Sequence, residues 1–575
     1  MSSPELIQTE GLRVAVEGCG HGVLHSIYAS IEKACEEANW PGVDLVIIGG
    51  DFQAVRNKDD LACISMPSRF WSMQDFHQYY SGHRKAPYLT IFVGGNHEAS
   101  NYLFELQHGG WVAPNIYYMG AANVLRVGPI RIAGMSGIWK GYDYRKPHFE
   151  RLPYNQDDIK SIYHTRELDI RKLLSIRTQV DVGISHDWPR GVEWNGNYQK
   201  LFKQKDLFEK DAKEGKLGSG AARYVLDRLR PRFWFSAHLH VKYSAIINHD
   251  GYKDGPEEIS PLADNAEANT KNNDEIELDT DDEQPASAPA PAPEQAAISN
   301  SDEMDVEISG DSAADNPASD VPTGMNGAPE PISEDGYGVG YGGRIPDAVR
   351  AQLPASFSRA KTPPPVILPF PKDIANKTTK FLALDKCLPH RNFLQLTSVT
   401  ASDSSLAKIS RPVQLEYDKE WLAICRVFAS HLTLGDKSAA VPKDEGEAHY
   451  RPLIEKEELW VQTHLVDKDK MVVPQNFELT APVYDEAGGI NDVRMPREYT
   501  NNQTSAFCQL LEIPNPFDIS EEERDKRMSD GAAPSARQDN GGGYRGGFGG
   551  GRGRGRGRGY GRGRGRGRPH RGGRW

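Results

Sequence analysis

Five short polar clusters, each directly after an apolar segment, constrain the fold of this chain more than any other feature of its sequence. The apolar segments are LRVAVEG, VDLVIIGGD, PYLTIFVGGNHE, VDVGISHDWP and PRFWFSAHLH, some of which include their cluster. The clusters are Cys19-Gly20-His21, Gly50-Asp51, Gly95-Asn96-His97-Glu98, His186-Asp187 and His238-Leu239-His240. In α/β folds functional residues gather past the carboxyl ends of strands, because the strand fixes the backbone while the loop faces solvent. The pattern predicts an α/β domain over residues 12–250 with one site at its strand ends.

The segments between these strands carry their own signals. Residues 25–39 place Ile27, Ile31, Ala34 and Ala38 at helical spacing, which predicts an amphipathic helix. Residues 123–137 predict a hairpin that turns at Gly128-Pro129, because Gly and Pro favour turns.

The side chains of the five clusters offer imidazole, carboxylate, amide oxygen and thiolate. This combination suits borderline divalent metals such as Zn, Fe(II) or Mn. A carboxylate such as Asp51 can bridge two ions about 3.5–4 Å apart, an arrangement that activates water and neutralises phosphoryl oxygens. The residue types alone therefore predict metal-dependent phosphoester hydrolysis, with one or two ions per site.

Composition divides the rest of the chain. Residues 254–335 contain 23 acidic residues against the single basic Lys271, a net charge of −22 in a segment rich in Ala, Pro and Ser. Such a segment cannot bury enough apolar area to offset its ordering entropy. The predicted domains are an extension at 1–11, a catalytic domain at 12–250, a disordered acidic linker at 251–360, a smaller C-terminal domain at 361–515 and a disordered Arg-Gly tail at 516–575.

Cysteine usage and hydropathy exclude several protein classes. The six cysteines show no regular spacing, so a disulfide framework is not expected. No run of 18 apolar residues and no apolar leader is present, which predicts a soluble intracellular protein with no membrane partner.

The series of clusters resembles the signature of the calcineurin-like metallophosphoesterases, D-x-H, G-D, G-N-H-[DE], H and H-x-H. One position departs, since Cys19 stands where most of that class has Asp. Together with SGIWKGYDYRKPHFERLPY and SIYHTRE, this departure makes residues 12–248 closely similar to the family of RNA lariat debranching enzymes, and 377–515 resembles that family's C-terminal domain. The phosphatase branch would show GDxVDRG where this chain has residues 50–56 as GDFQAVR.

The resemblance implies a fold, a reaction and residue roles. The fold is a four-layer sandwich of two mixed sheets flanked by helices, with a smaller C-terminal domain. The reaction is hydrolysis of the 2′-5′ phosphodiester at the branch point of excised intron lariats, for intron turnover. One implied ion lies among Cys19, His21, Asp51 and His240, and the other among Asp51, Asn96, His186 and His238. His97 is implied to act on the leaving oxygen and not to bind metal. Thiolate is softer and bridges less well than carboxylate, so the Cys19 side is expected to hold its ion more weakly.

Residues 134–154, here called the recognition segment, interleave aromatic and cationic side chains. This mixture suits splayed single-stranded RNA, whose bases stack and whose phosphates pair with cations. The predicted RNA-contacting residues are Ser136, Trp139, Lys140, Tyr144, Arg145 and His148. His164 and Arg166 are expected to line the same groove, and Asp187 to orient a ligand imidazole or to cap a turn.

The tails and the substrate suggest partners and a location. Residues 537–575 carry 12 Arg and one acid, which favours salt-sensitive binding of single-stranded RNA. The substrate implies a nuclear protein, with shuttling to the cytoplasm as a further expectation, and a monomer is expected. Two alternatives stay open, another metallophosphoesterase (a nuclease or phosphatase) and a non-catalytic RNA-binding scaffold.

Overall fold

Two mixed β-sheets form the centre of the protein in a computed structural model that describes residues 11–249, 368–403 and 409–535. The strands are β1 (Leu12–Glu17), β2 (Leu45–Ile48), β3 (Thr90–Phe92), β4 (Gly110–Ala113), β5 (Ile116–Tyr118), β6 (Ala122–Val127), β7 (Ile130–Met135), β8 (Val182–Ser185), β9 (Phe233–Ser236), β10 (Tyr243–Asn248), β11 (Thr378–Ala383), β12 (Leu394–Val399) and β13 (Leu415–Tyr417). The first sheet has the order β12-β1-β2-β3-β5-β4, and the second has the order β10-β11-β9-β8-β7-β6-β13.

Helices cover the outer faces of the two sheets. They are α1 (Leu24–Glu37), α2 (Phe76–Tyr80), α3 (Ser100–Glu105), α4 (Gly141–Tyr144), α5 (Gln156–Ser161), α6 (Glu167–Leu174), α7 (Tyr198–Gln204), α8 (Leu207–Lys213), α9 (Gly220–Leu229), α10 (Lys419–Phe428), α11 (Glu447–His464), α12 (Asn502–Leu510) and α13 (Glu521–Asp530). Among the helices of the described ranges, none has both the length and the apolarity that crossing a membrane would require.

Alternation along the strands of the first sheet fills two cores at once. Leu45 and Ile47 of β2 join the core between the sheets, whereas Val46 and Ile48 join the core beneath α1 and α2. Because successive side chains of a strand point to opposite faces, a strand buried on both faces is apolar at every position. The four-layer arrangement is thereby confirmed, with α1 outside the first sheet and α6 and α9 packed on the second.

The predicted helix and hairpin are both present, with one adjustment. Strands β6 and β7 pair from Ala122↔Met135 to Val127↔Ile130, so the hairpin is confirmed. The buried face of α1 is formed by Leu24, Ile27, Tyr28, Ile31 and Cys35. Ala34 is half-buried and Ala38 is exposed, so the predicted face was rotated slightly from the true one. The larger apolar side chains determine which face packs, because they gain more from burial than alanine does.

The C-terminal region adds strands to both sheets. Strand β12 pairs with β1, β11 lies between β10 and β9, and β13 pairs with β6. The predicted smaller domain therefore contributes three strands to the same two sheets as residues 12–249. Pairing between strands hundreds of residues apart leaves no local pattern in a sequence, so it could not be foreseen.

The predicted tail at 516–575 contains a helix. Helix α13 starts after Ser520, whose side chain accepts a hydrogen bond from the Glu523 backbone N–H. Three acidic residues in its first turn favour the positive end of the helix dipole. The beginning of this segment is thus ordered, contrary to the prediction. Residues 1–10 and 536–575 and the acidic linker, whose disorder was predicted, lie outside the described residues.

The acidic linker joins two neighbouring antiparallel strands. Strand β10 ends at Asn248, which pairs with Thr378 at the start of β11, and the His249 N–H donates to the Lys377 carbonyl at 2.8 Å. Strand β11 runs parallel to β9, whose carboxyl end leads to the predicted metal ligands. The linker therefore leaves and re-enters the fold at the sheet edge opposite those ligands.

Replacing residues 250–367 by a Gly/Ser segment of about ten residues is expected to stabilise the protein. Loop-closure entropy grows as about (3/2)RT ln n, so the shorter connection should raise the free energy of unfolding by about 2 kcal/mol. Denaturant unfolding and the cleavage rate on branched RNA would measure the effect. A shortened protein that failed to fold would show that the linker itself supplies structure.

Candidate metal centre

All seven predicted metal ligands meet at one edge of the two sheets. Strands β1, β2 and β3 are mutually parallel, and β7, β8 and β9 are mutually parallel. The carboxyl ends of parallel strands meet at the same sheet edge, and each of β1, β2, β3, β8 and β9 leads to one polar cluster. This register brings together Cys19, His21, Asp51, Asn96, His186, His238 and His240.

The first predicted ligand group is tightly clustered. Ligand atoms of Cys19, His21, Asp51 and His240 all lie within 4.8 Å of one another. Metal–ligand bonds of about 2.0–2.3 Å place neighbouring ligand atoms roughly 3–4 Å apart, so the group fits a divalent ion. The Cys19 Sγ accepts a hydrogen bond from the His238 N–H at 3.2 Å, which favours the thiolate form.

The second predicted ligand group surrounds His186. Its Nε2 lies 3.2 Å from Asn96 Oδ1 and 3.4 Å from Asp51 Oδ1, and its ring lies 4.9 Å from that of His238. Its Nδ1–H donates to the Gly49 carbonyl at 2.9 Å. Because this bond uses Nδ1, Nε2 is the ring nitrogen that faces Asp51 and Asn96, the orientation found in metal-binding histidines.

Backbone strain is concentrated among these ligands. Positive φ angles occur at His21 (42°), Asp51 (45°), His238 (64°) and His240 (47°). Residues other than glycine occupy this left-handed region at a cost of about 1–3 kcal/mol each, and such residues cluster at functional sites. The strain turns these side chains out of the strand path and towards one another.

Two motif glycines leave room for the ligands. A Cβ on Gly50, whose φ is 124°, would lie 2.2 Å from His186 Nδ1. A Cβ on Gly95 would lie 2.2 Å from Asp51 Oδ1. Since contacts under 3.0 Å force atoms to move, only glycine allows the two loops to approach this closely.

Hydrogen bonds hold the loops of Asp51 and Asn96 together. The carboxylate of Glu98 accepts from the N–H groups of Phe52, Gln53 and Gly95, each at 2.8 Å. Burial and the nearby Asp51 raise the pKa of Glu98 to about 8, although these three donors favour its charged form. The Gln53 amide lies 3.0 Å from His21 Nδ1 and supports the same site. The supporting roles of Glu98 and Gln53 were not predicted from the sequence.

Asp51 is the electrostatic centre of the site. Burial alone would raise its pKa, but the surrounding imidazoles, with His186 the largest contributor, hold the pKa well below its usual range. The His97 N–H also donates to Asp51 Oδ1 at 2.8 Å. The carboxylate is therefore charged at neutral pH, as a metal-binding carboxylate must be.

His97 lies beside the first ligand group. Its ring centroid is 6.0 Å from that of His21, and its side chain is largely buried at the same sheet edge. The hydrogen bond to Asp51 fixes the backbone of His97, so the imidazole ring itself is not needed to hold this residue in place.

The recognition segment divides into buried and accessible residues. Tyr144 is only 8% exposed and belongs to the same large hydrophobic core as residues of α6 and α9, with its ring 4.8 Å from Trp139. His148 is held by Asp169, with Nε2 2.7 Å from Oδ2. Their placement does not support the predicted contacts with RNA, because both are occupied by protein.

Ser136 supports the metal loop instead of lying free in the groove. Its Oγ accepts from the Gly94 N–H at 2.8 Å and donates to the Gly120 carbonyl at 2.6 Å. The accessible members of the segment are Trp139 and Lys140, both half-buried, with Tyr142 and Arg145, which are exposed. An aromatic side chain that packs in the core and one that stacks on a base look alike in a sequence.

Asp187 fastens the recognition segment to a ligand loop. Its Oδ2 accepts from the Trp139 N–H at 3.2 Å, while the guanidinium of Arg190 lies 5.6 Å from the Trp139 ring centroid. The imidazole of His186 is oriented by the Gly49 carbonyl, and orientation of another ligand imidazole by Asp187 stays a prediction.

His164 and Arg166 are buried beneath the recognition segment. His164 Nδ1 lies 2.7 Å from Asp143 Oδ2, and the Arg166 guanidinium pairs with Glu150 at 2.5 Å. Both side chains border a cavity of about 60 Å³ that extends behind Gly95 and Ser136. They stabilise the segment from below and are not placed on an open surface.

Comparison with known proteins agrees with the arrangement of the chain. A family model for the calcineurin-like phosphoesterase matches residues 12–242, and a model for the lariat debranching enzyme C-terminal domain matches residues 376–516. The lariat debranching enzyme of Schizosaccharomyces pombe is 38% identical, over 87% of this chain and 96% of its own length. Lariat debranching enzyme A of Xenopus laevis is 36% identical over 87% and 70%, and the lariat debranching enzyme of Homo sapiens is 35% identical over 87% and 69%.

The phosphoesterase model implies the use of a divalent metal, for which the clustered ligand atoms provide a fitting site. Both family regions match in order, and they correspond to the two resemblances seen in the sequence. This chain belongs to the lariat debranching enzyme family of the calcineurin-like phosphoesterases.

Proposed function

We propose that this protein hydrolyses the 2′-5′ phosphodiester at the branch point of excised intron lariat RNA, giving linear RNA for intron turnover. The observation that carries the proposal is a complete set of seven ligand side chains beside His97, in a chain that matches lariat debranching enzymes over 87% of its length. In the reaction, the oxygen of water bonds to phosphorus and the bond from phosphorus to the 2′ oxygen breaks. The phosphate stays on the 5′ end of the intron, and the 2′ oxygen takes up a proton.

The proposed metal ligands fall into the two groups described above. Cys19, His21, Asp51 and His240 hold one ion, and Asp51, Asn96, His186 and His238 hold the second. When bound, divalent ions neutralise phosphoryl oxygens and make hydroxide available near neutral pH. The donor set suits Fe(II), Zn or Mn. Cys19 is the soft ligand that distinguishes the first group from the second.

His97 is proposed as the residue that protonates the leaving 2′ oxygen. It lies at the same edge as the ligands, and its N–H bond to Asp51 holds its backbone in place. Proton transfer by a positioned histidine typically contributes about 10²–10⁴-fold to a rate.

The accessible part of the recognition segment is proposed to bind the RNA around the branch. Tyr142 is 66% exposed, and Lys140 and Arg145 supply positive charge on either side of it. Bases stack on aromatic rings while phosphates pair with cations, so this arrangement suits an unpaired branch region. The Arg-Gly tail is proposed to add salt-sensitive affinity for single-stranded RNA, and the protein is proposed to act as a monomer in the nucleus, where lariats form.

The test compares a 2′-5′ branched RNA with a linear 3′-5′ RNA of the same composition, using the metal-loaded full chain. We expect the branched RNA to be cleaved at the 2′-5′ bond, giving a 5′ phosphate, and the linear RNA to remain intact. Equal cleavage of both RNAs would indicate a general nuclease. Binding without any cleavage would indicate a scaffold, and either result would overturn the proposal.

A further inference from the structure

The loop between β11 and β12, residues 384–393, lies directly against the first metal-binding motif. The Gly18 N–H donates to the Phe393 carbonyl at 3.1 Å, and the Cys19 N–H donates to the Asp385 carbonyl at 3.4 Å. Cys19 and Lys386 form an isolated parallel bridge. A Cβ on Gly18 would lie 2.0 Å from the Asp385 carbonyl oxygen, so the two backbones could not come this close with any larger residue at position 18. We call residues 384–393 the 384–393 loop.

Lys386 in this loop is buried in an unusual way. It is 6% exposed and is the only lysine among the buried residues of the described chain. The five buried arginines of the described chain each form an ion pair with a carboxylate, and they are Arg56, Arg131, Arg166, Arg171 and Arg524. No carboxylate of the described residues lies within ion-pair distance of the Lys386 ammonium.

Asp385, the nearest acidic residue in the sequence, already contacts other groups through both carboxylate oxygens. One oxygen of Asp385 accepts from the Lys386 backbone N–H at 2.8 Å, and the other lies 3.5 Å from the Arg391 guanidinium. The loop also presents His390, which is exposed. It therefore carries more positive than negative charge at the edge of the metal centre.

An ammonium group that no carboxylate holds can bind an arriving anion without first breaking an ion pair. The motif next to Lys386 belongs to the metal centre, which is proposed to receive a phosphodiester. Lysine is a common phosphate ligand, as it places a compact positive charge with three donors. RNA brings one phosphate for every nucleotide, so an anion arrives at this position together with the substrate.

We propose that Lys386 binds a phosphate oxygen of the RNA, and that the 384–393 loop forms the wall of the substrate site on the Cys19 side of the metal centre. The inference rests on the proposed function and extends it, since it gives the C-terminal region a direct part in substrate binding. The recognition segment and the 384–393 loop then bind the RNA from two parts of the chain that are more than 200 residues apart.

The test measures RNA binding in protein stripped of metal by a chelator, so that no cleavage intervenes. Fluorescence anisotropy of labelled branched RNA and of linear RNA is recorded over a series of salt concentrations. The variants are Lys386→Gln, the charge-conserving Lys386→Arg and the control Lys380→Gln. Lys380 is exposed on β11, six positions earlier and towards the edge opposite the metal centre. All variants keep the Arg-Gly tail, so its contribution cancels.

We expect Lys386→Gln to weaken binding about tenfold and to make the dependence of log K on log salt shallower by about 0.7–1, as for loss of one phosphate contact. Lys386→Arg should retain most of the affinity, and Lys380→Gln should match the unchanged protein. Unchanged affinity in Lys386→Gln would overturn the inference. Weaker binding with an unchanged salt slope would also overturn it, because the lost contact would not be ionic.

Two further outcomes separate this inference from others. If Lys386 instead stabilises the Cys19 thiolate, Lys386→Gln would lower the metal content of the reloaded protein and leave RNA binding intact, which would overturn the phosphate contact. If the unchanged protein failed to cleave branched RNA, the proposed function would fail. The salt slope measured on linear RNA would still decide whether Lys386 contacts a phosphate.

Discussion

Substitution of His97 by alanine is expected to slow cleavage of branched RNA by about 10²–10⁴-fold, the usual contribution of a positioned proton donor. Metal content and affinity for branched RNA should change little, because the proposed role of the imidazole is proton transfer and not metal binding. The contact that His97 makes with Asp51 uses its backbone N–H, which alanine retains. The Asp51 carboxylate should therefore stay in place while the imidazole is lost.

The experiment combines single-turnover cleavage, anisotropy with branched RNA and metal analysis of the same preparations. His83→Ala serves as the control, since His83 is exposed and lies outside the metal centre. A fall in metal content in His97→Ala would mean that the imidazole is a ligand. A rate within a few-fold of the unchanged protein would remove the proton-donor role altogether.

The sequence predicted which side chains meet at one edge of the sheets because these side chains are attached to strand ends. Strands such as β2 and β3 are recognisable from short apolar runs, and parallel pairing then brings Asp51 and Asn96 to one edge without any further information. The glycines at positions 50 and 95 were visible as part of the motifs. Their physical necessity became clear only from the 2.2 Å approach that a Cβ would make in each case.

Features that depend on distant pairing could not be predicted. Lys386 lies beside Cys19 only because β11 and β12 join the two sheets, and neither strand carries a signal that names its partner. The same pairing turns the acidic segment into an insertion between β10 and β11. Helix α13 is a different case, since Ser520 and Glu523 form a recognisable helix start that the polar composition of the tail obscured.

The recognition segment shows where composition misleads. Its aromatic residues were grouped as RNA contacts, yet Tyr144 fills the core while Tyr142 is exposed. Burial of Tyr144, contact of Arg190 with Trp139 and the bond from Trp139 to Asp187 fix the base of the segment against the His186 loop. RNA bound by the accessible residues would thus be held at a defined distance from the second ligand group.

Gly95→Ala is expected to disable the metal centre while leaving the fold in place. The added Cβ would lie 2.2 Å from Asp51 Oδ1, 2.5 Å from the Asp51 N and 2.7 Å from His186 Cε1. The Asp51 N is a backbone atom, and His186 Cε1 belongs to a buried ring. Neither can move aside by a small side-chain rotation, so the two loops must separate. Displacement of catalytic groups by about 1 Å can lower a rate about 10²-fold, and we expect a loss at least that large.

Gly94→Ala is the matched control, because it adds the same methyl group one residue earlier. Its Cβ would meet Leu103 Cδ1 at 3.3 Å and Ser136 Cβ at 3.6 Å, contacts that a small side-chain shift accommodates. We expect Gly94→Ala to keep most of its metal content and activity and Gly95→Ala to lose both, with melting temperatures that show both variants folded. Equal activity in the two variants would mean that the Asp51 and Asn96 loops tolerate separation, and the close approach of Gly95 to Asp51 would then not be what sets the geometry of the metal centre.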